Sequence, residues 1–207
     1  MSKKVQFGIK DVTIWPMTEG TDSQTGAVTM TYGDPISVPG TTNLQLDPAG
    51  SEPSIFYADD SAYFVPAGKS QGYTGSFDNA LIPEAIKTAL MSFVKDGNGN
   101  LVELEQTEVK YFAFAFSKET NDGDLRFVFF KCCFSNRLSV KGATTTDTQS
   151  PETENAPIKI VPTSKKYQLG DYNGSVIGNY SSDDTISTSY DAWFQTPQEP
   201  IANPSQG

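Results

Sequence analysis

The sequence predicts a mainly β chain: an antiparallel β-sandwich or barrel with one flanking α-helix and a long hairpin loop. Three observations carry that expectation. Apolar residues alternate with a period of two in several runs, most clearly over Lys110 to Phe116. Those runs are separated by Gly, Asn, Asp and Pro clusters of the kind that turn a chain. Only one stretch, 83–94, shows the three- and four-residue apolar spacing of an amphipathic helix.

Each element follows from its residues. Val5 to Ile14 reads as a strand with Val5, Phe7 and Ile9 on one face. Val12 and Ile14 continue it after Lys10-Asp11, where the change of parity suggests a bulge. Thr18 to Gly26 is polar and reads as a loop, and Val28 to Tyr32 as a hairpin strand. Gly33-Asp34-Pro35 turns the chain, and Pro39-Gly40 makes a second turn. Thr42 to Leu46 is a strand with Leu44 and Leu46 on one face. Gly72 to Ala80 can pair with it antiparallel, which would make the segment between them an arm.

Pro83 suits a first helical position and Glu84 its positive end. Ile82, Ile86, Leu90 and Phe93 form the apolar stripe, which must lie on a sheet to be hidden. Leu101 to Glu105 is a short strand. In Lys110 to Phe116, Phe112, Phe114 and Phe116 share a face opposite Tyr111, Ala113 and Ala115. Asn121-Asp122-Gly123 is hairpin chemistry. Leu125 to Phe134 is apolar on both faces apart from Arg126 and Lys131, as in a strand covered on both sides. Thr144 to Asn155 is polar, and Ile158 to Val161 reads as a return strand. We expect a β domain over 1–166, with its long loop at about 47–71 and its helix at about 83–94. Residues 167–207 read as a carboxyl-terminal extension or arm, docked through Trp193 and Phe194 and otherwise loosely held.

Composition narrows the function. With 207 residues the chain can bury one sizeable core. A net charge of −10 argues against a nucleic-acid reader, which needs cations to neutralise phosphates. No apolar run approaches a membrane span, and the amino terminus does not resemble a signal peptide. The chain has no histidine, which removes the commonest general base and metal ligand. Its two cysteines, Cys132 and Cys133, are adjacent and point to opposite faces of a strand, so they read as structural thiols. No catalytic, cofactor or metal constellation emerges, and the expectation is a non-enzyme.

The unusual stretch is the loop from Pro48 to Gln71. A loop this long is either functional or disordered, and disordered segments are poor in aromatics. This one carries Phe56, Tyr57, Tyr63 and Phe64 around Ala58, Asp59 and Asp60. Either those rings fold back onto the sheet or another protein surface receives them. The Asp59-Asp60 pair invites a cation-site or acid-base reading, against a solvated turn or an ion pair with a neighbour's Lys; no further acids follow at a calcium-loop spacing.

Several segments also resemble a known family. Pro39-Gly40-Thr41-Thr42-Asn43-Leu44-Gln45-Leu46, Phe56-Tyr57-Ala58-Asp59-Asp60, Gly72-Tyr73-Thr74-Gly75 and Ala80-Leu81-Ile82-Pro83 occur in the order found in the major tail proteins of long-tailed bacteriophages, of the phi13 type. The run 4–12, the Phe112 to Phe116 triplet and Arg126 to Cys132 fit the same pattern, so the resemblance covers about residues 4 to 165. It implies six-subunit rings stacked into a tail tube, the conduit for double-stranded DNA, which passes without specific binding. It implies a virion protein made in the host cytoplasm, partnered by itself and by tape measure and tail terminator proteins, with no cofactor and no membrane. The inter-subunit contact would fall on Phe56, Tyr57, Ala58, Asp59, Asp60, Tyr63 and Phe64. The alternative is a surface β-module binding carbohydrate or a receptor, stacking sugars on Trp15, Trp193 and exposed tyrosines. A hydrolase using Asp59-Asp60 lacks any oxyanion or base partner.

Overall fold

The structure, a computed structural model, describes residues 5–51, 54–65, 68, 70–105, 108–142, 144, 151–182 and 190–201. Lys4 of the amino-terminal motif lies outside them, as do 145–150 of the polar segment, 183–189, and 202–207 of the tail. The elements in chain order are β1 (Gln6–Thr21), β2 (Val28–Tyr32), β3 (Ile36–Ser37), β4 (Thr41–Gly50), β5 (Phe56–Ala58), β6 (Ser61–Phe64), β7 (Ser70–Asn79), α1 (Glu84–Leu90), β8 (Phe93–Lys95), β9 (Leu101–Glu103), β10 (Tyr111–Thr120), β11 (Gly123–Phe134), β12 (Glu154–Ile160), β13 (Lys166–Leu169), β14 (Tyr172–Ser175) and β15 (Gly178–Ser182). The fold is mainly β and antiparallel, with one helix among the described residues, as the patterning predicts.

The main sheet runs β2-β1-β10-β11-β12-β7-β4, with β3 added to β1 and β15 to β11. It curls on itself. Phe77 of β7 and Phe114 of β10 are three strands apart along the hydrogen-bonding order, which would be about 14 Å in a flat sheet. Their ring centroids are 5.8 Å apart. The curl encloses the main core. Phe112, Phe114 and Phe116 point into it, with Val12, Ile14, Phe77, Cys132, Phe134, Ile158 and Ile160. The opposite face of β10, Ala113 and Ala115, belongs to a second core. The alternation in the sequence therefore separates two buried faces, not a buried one from a wet one.

α1 closes one end of the enclosed core with Ile86 and Leu90. It is held by Glu154, whose carboxylate accepts from the Ile82 amide (2.7 Å) and from Lys87 Nζ (2.8 Å). The helix is shorter than the 83–94 expected. Ser92 takes a left-handed backbone (φ 60), and Phe93–Lys95 leaves as β8 to pair with β9. The turn between them is fixed by Asp96, whose carboxylate accepts from the Asn98 and Asn100 amides. Local turn chemistry overrides the tail of the helical stripe.

β1 differs from its expected form in two ways. It runs on to Thr21, because Met17–Thr21 pairs with Tyr32–Val28 where a loop over Thr18–Gly26 was expected. Of its expected amino-terminal face only Ile9 packs against the main core: Phe7, and Val5 just before the strand, are exposed. Two register shifts against β10 are responsible, one between Gln6 and Ile9 and one between Lys10 and Thr13. The second is the bulge suggested by parity. Asp11 there has φ 56, and the buried Ser117 hydroxyl donates to its carboxylate (2.8 Å) and to the Lys10 carbonyl (3.2 Å).

β11 is covered on both faces as expected, but it too carries an irregularity. Phe112 pairs with Cys132 while Phe114 pairs with Phe129, so one extra residue sits in β11. Before it, Phe127 and Phe129 face the main core and Val128 and Phe130 the second; after it, Cys132 and Phe134 face the main core. The free edge of β11 changes partner at this point, from β15 along 125–129 to β12 along 132–134. The Phe130 amide donates to the Ile177 carbonyl and the Lys131 carbonyl accepts from the Val161 amide, so the irregular step stays hydrogen-bonded.

The carboxyl-terminal part is more integrated than a loosely held extension. β15 is a strand of the main sheet, and β13 and β14 form a hairpin. Trp193 docks as expected, packing with Trp15, Ala115 and Phe130 and donating from Nε1 to the Phe127 carbonyl (3.2 Å). The two cations of β11 serve this face. The Arg126 guanidinium lies 3.5 Å from the Tyr190 ring centroid and donates to the Tyr190 carbonyl. Lys131 Nζ pairs with Glu19 (2.6 Å) and donates to Ser164 Oγ (2.9 Å).

Candidate assembly surface: the aromatic arm

The arm is built on the β4–β7 hairpin. Leu44 and Leu46 pair with Phe77 and Gly75, and the ladder reaches Gly50 opposite Ser70. Two glycines of the Gly72-Tyr73-Thr74-Gly75 run make this packing possible. A Cβ on Gly75 would lie 1.9 Å from the Gln45 carbonyl oxygen. One on Gly72, which has φ +101, would lie 2.0 Å from that of Ile160. β7 is hydrogen-bonded to β4 on one side and β12 on the other, so neither flanking backbone can retreat without losing a ladder.

Beyond the ladder the chain forms its own small ribbon. β5 and β6 pair only with each other, with Phe56 opposite Phe64, Tyr57 opposite Ala62 and Ala58 opposite Ser61. Asp59 and Asp60 are the two turn residues, at φ 50 and φ 55. Positive φ at both positions is the requirement of the type I′ turn that matches strand twist in a two-residue hairpin. The acid pair is thus a turn, and among the described residues no group of three acids or cysteines could hold a metal ion. Ser61 Oγ donates to the Ala58 carbonyl (3.1 Å) across the turn.

The ribbon leaves its rings in solvent. Phe56 is 61% exposed, Tyr57 64%, Tyr63 74% and Phe64 60%, with Ile55 and Val65 continuing the patch. Those four rings together present roughly 500 Å² of largely apolar surface, taking about 200 Å² for each whole side chain. That already matches the largest patch of a typical monomer. All seven candidate residues are brought together on one projection: Phe56, Tyr57, Ala58, Asp59, Asp60, Tyr63 and Phe64. An isolated two-stranded hairpin is marginally stable in water, so the ribbon lacks the cover that would normally hold it.

Sequence reasoning missed two other surfaces. The β8–β9 hairpin and the residue after it expose Val94, Val102 and Leu104. At the end of the core away from α1, Tyr73, Phe127, Phe129, Ile177 and Tyr180 line an open groove of about 450 Å³. Only Ile55 and Val65 had a local signal, their apolarity next to the aromatic run; the groove exists because distant strands curl together.

Trp15 and Trp193 are corrected as sugar platforms. Each is 1% exposed, because the two pack against one another's neighbours in the second core. Both cysteines are free and buried, and burial pushes their thiols upward, away from the reactive thiolate. Burial opposes ionisation of Glu19, but hydrogen bonds from Lys131 and Ser164 outweigh it and hold the carboxyl below its ordinary value. The sequence matches no protein-family model, and comparison with curated proteins gives no match.

Proposed function

We propose that this chain is a self-assembling structural protein of a bacteriophage tail, six copies forming a ring and rings stacking into the tube through which DNA leaves. One observation carries the reading: a projecting ribbon whose Phe56, Tyr57, Tyr63 and Phe64 have no cover of their own. Burying roughly 500 Å² of apolar surface is worth about 12 kcal/mol before the costs of association. A single copy leaves that gain unrealised, and a second copy supplies the cover. The same segment carries the resemblance to phi13-type tail proteins, as do the two glycines beside it.

The net charge of −10 fits the role. An acid-rich tube wall offers no counterion-releasing contacts to phosphate, so DNA slides without sticking. Unlike surfaces on the two faces of each ring allow stacking without closure, as a tube needs. Tape measure and tail terminator proteins would be the partners within the tail. No helix of the described residues is long and apolar enough to cross a membrane.

Tyr57→Ala and Phe56→Ala test the reading. Both side chains stand in solvent, so each variant keeps the wild-type thermal midpoint and fails to form tubes in electron micrographs. Tubes of normal length from either variant would reject it.

A further inference from the structure

The core has one covered end and one uncovered end. α1 closes the first; at the second, Tyr73, Phe127, Phe129, Ile177 and Tyr180 surround a groove of about 450 Å³. The groove is largely apolar and aromatic, with the Tyr73 and Phe129 rings 5.6 Å apart and Tyr180 6.1 Å from Phe127. A cation stands beside Phe127, one of the lining rings. Lys118 Nζ is 6.0 Å from the Phe127 ring centroid, is half-buried, and has no ion-pair partner among the described residues. The arm tip has the opposite charge: Asp59 and Asp60 lie among four exposed rings and likewise have no ion-pair partner there.

We propose that this groove is the seat for the aromatic ribbon of a second copy of the chain. Phe56 and Phe64, opposite one another on one face of the ribbon, enter the aromatic cleft, and the Asp59-Asp60 turn comes to rest against Lys118. The proposal rests on the assembly reading above and specifies its contact. It also sets the direction. The arm leaves the sheet at Gly50 and Ser70, a few residues from Tyr73, so root and groove share one end of the molecule. Asp59 lies nine positions beyond Gly50, a reach of up to about 30 Å. Copies standing side by side with the same end up can each lend an arm to the next, and such a head-to-tail contact closes as a ring. The ribbon then acts within a ring, and ring-to-ring stacking falls to other surfaces.

Disulfide trapping between copies tests this. Protein carrying Asp59→Cys is mixed with protein carrying Lys118→Cys and oxidised; the native thiols are buried. A control pairs Asp59→Cys with Val102→Cys, an exposed position on the β8–β9 hairpin. The proposal expects the Lys118 pair to give at least tenfold more cross-linked two-copy product than the control. Lys118→Glu should abolish association, and adding Asp59→Lys with Asp60→Lys to the same chain should restore it. A preference for the Val102 control overturns the seat. So does a cross-link formed only within one chain carrying both cysteines, or association unaffected by Lys118→Glu. Tubes forming without the Lys118 cross-link would defeat the seat alone. Cross-linked copies that stop at dimers would support the seat and defeat the tube.

Discussion

Asp59 and Asp60 occupy backbone positions that an L-residue enters at a cost of about 1 kcal/mol each. Asn and Gly relieve that cost in a type I′ turn. Asp59→Asn with Asp60→Gly should therefore tighten the ribbon, read as slower proteolytic cleavage within 54–65 with an unchanged midpoint for the body. It should also weaken association, because the charges proposed to meet Lys118 are gone. Gly75→Ala belongs to the same scale with the opposite sign. Its methyl would overlap the Gln45 carbonyl, and the strain should lower stability by about 1–3 kcal/mol in urea titration. Glu19 predicts a pH effect. Its folded value lies below the ordinary 4.5, so the stability it contributes is present above that value and is lost as pH falls through the folded one. Glu19→Gln should flatten the acid side of the stability profile. At neutral pH it leaves Lys131 buried without a countercharge and lowers the urea midpoint.

At the level of elements, the best-read parts of the sequence were those whose pattern is local. β10 and β11 were visible because Phe112, Phe114 and Phe116 alternate with Ala and because Asn121-Asp122-Gly123 turns the chain. The β4–β7 arm was visible from two alternating runs flanking an aromatic loop. Features set by long-range pairing were not. The carboxyl end of β1 is made of Thr, Glu and Gly, and only β2 across from it makes it a strand. The extra residue in β11 answers to a change of partner from β15 to β12, which no local pattern records. Trp15 and Trp193 looked available to sugars because their burial depends on each other's segments. That last packing makes its own prediction. Trp193→Ala should open a cavity beside Trp15 and Phe130 and cost about 3–5 kcal/mol, read from the urea midpoint.

For the whole molecule, the described surfaces divide unevenly. One end of the core carries a covering helix; the other carries an open aromatic groove and, close by, the root of an uncovered aromatic arm. A lone copy exposes both halves of what we read as one contact. The candidate residues were legible in sequence because four rings in a polar loop are conspicuous; their seat was not, because it is assembled from β7, β11, β15 and the segment before β15. The central claim is that a further copy covers the ribbon. Negative-stain electron microscopy of the purified chain at high concentration tests it most directly. The account predicts rings and hollow tubes that lengthen with concentration. Particles of single-copy size at every concentration would contradict it.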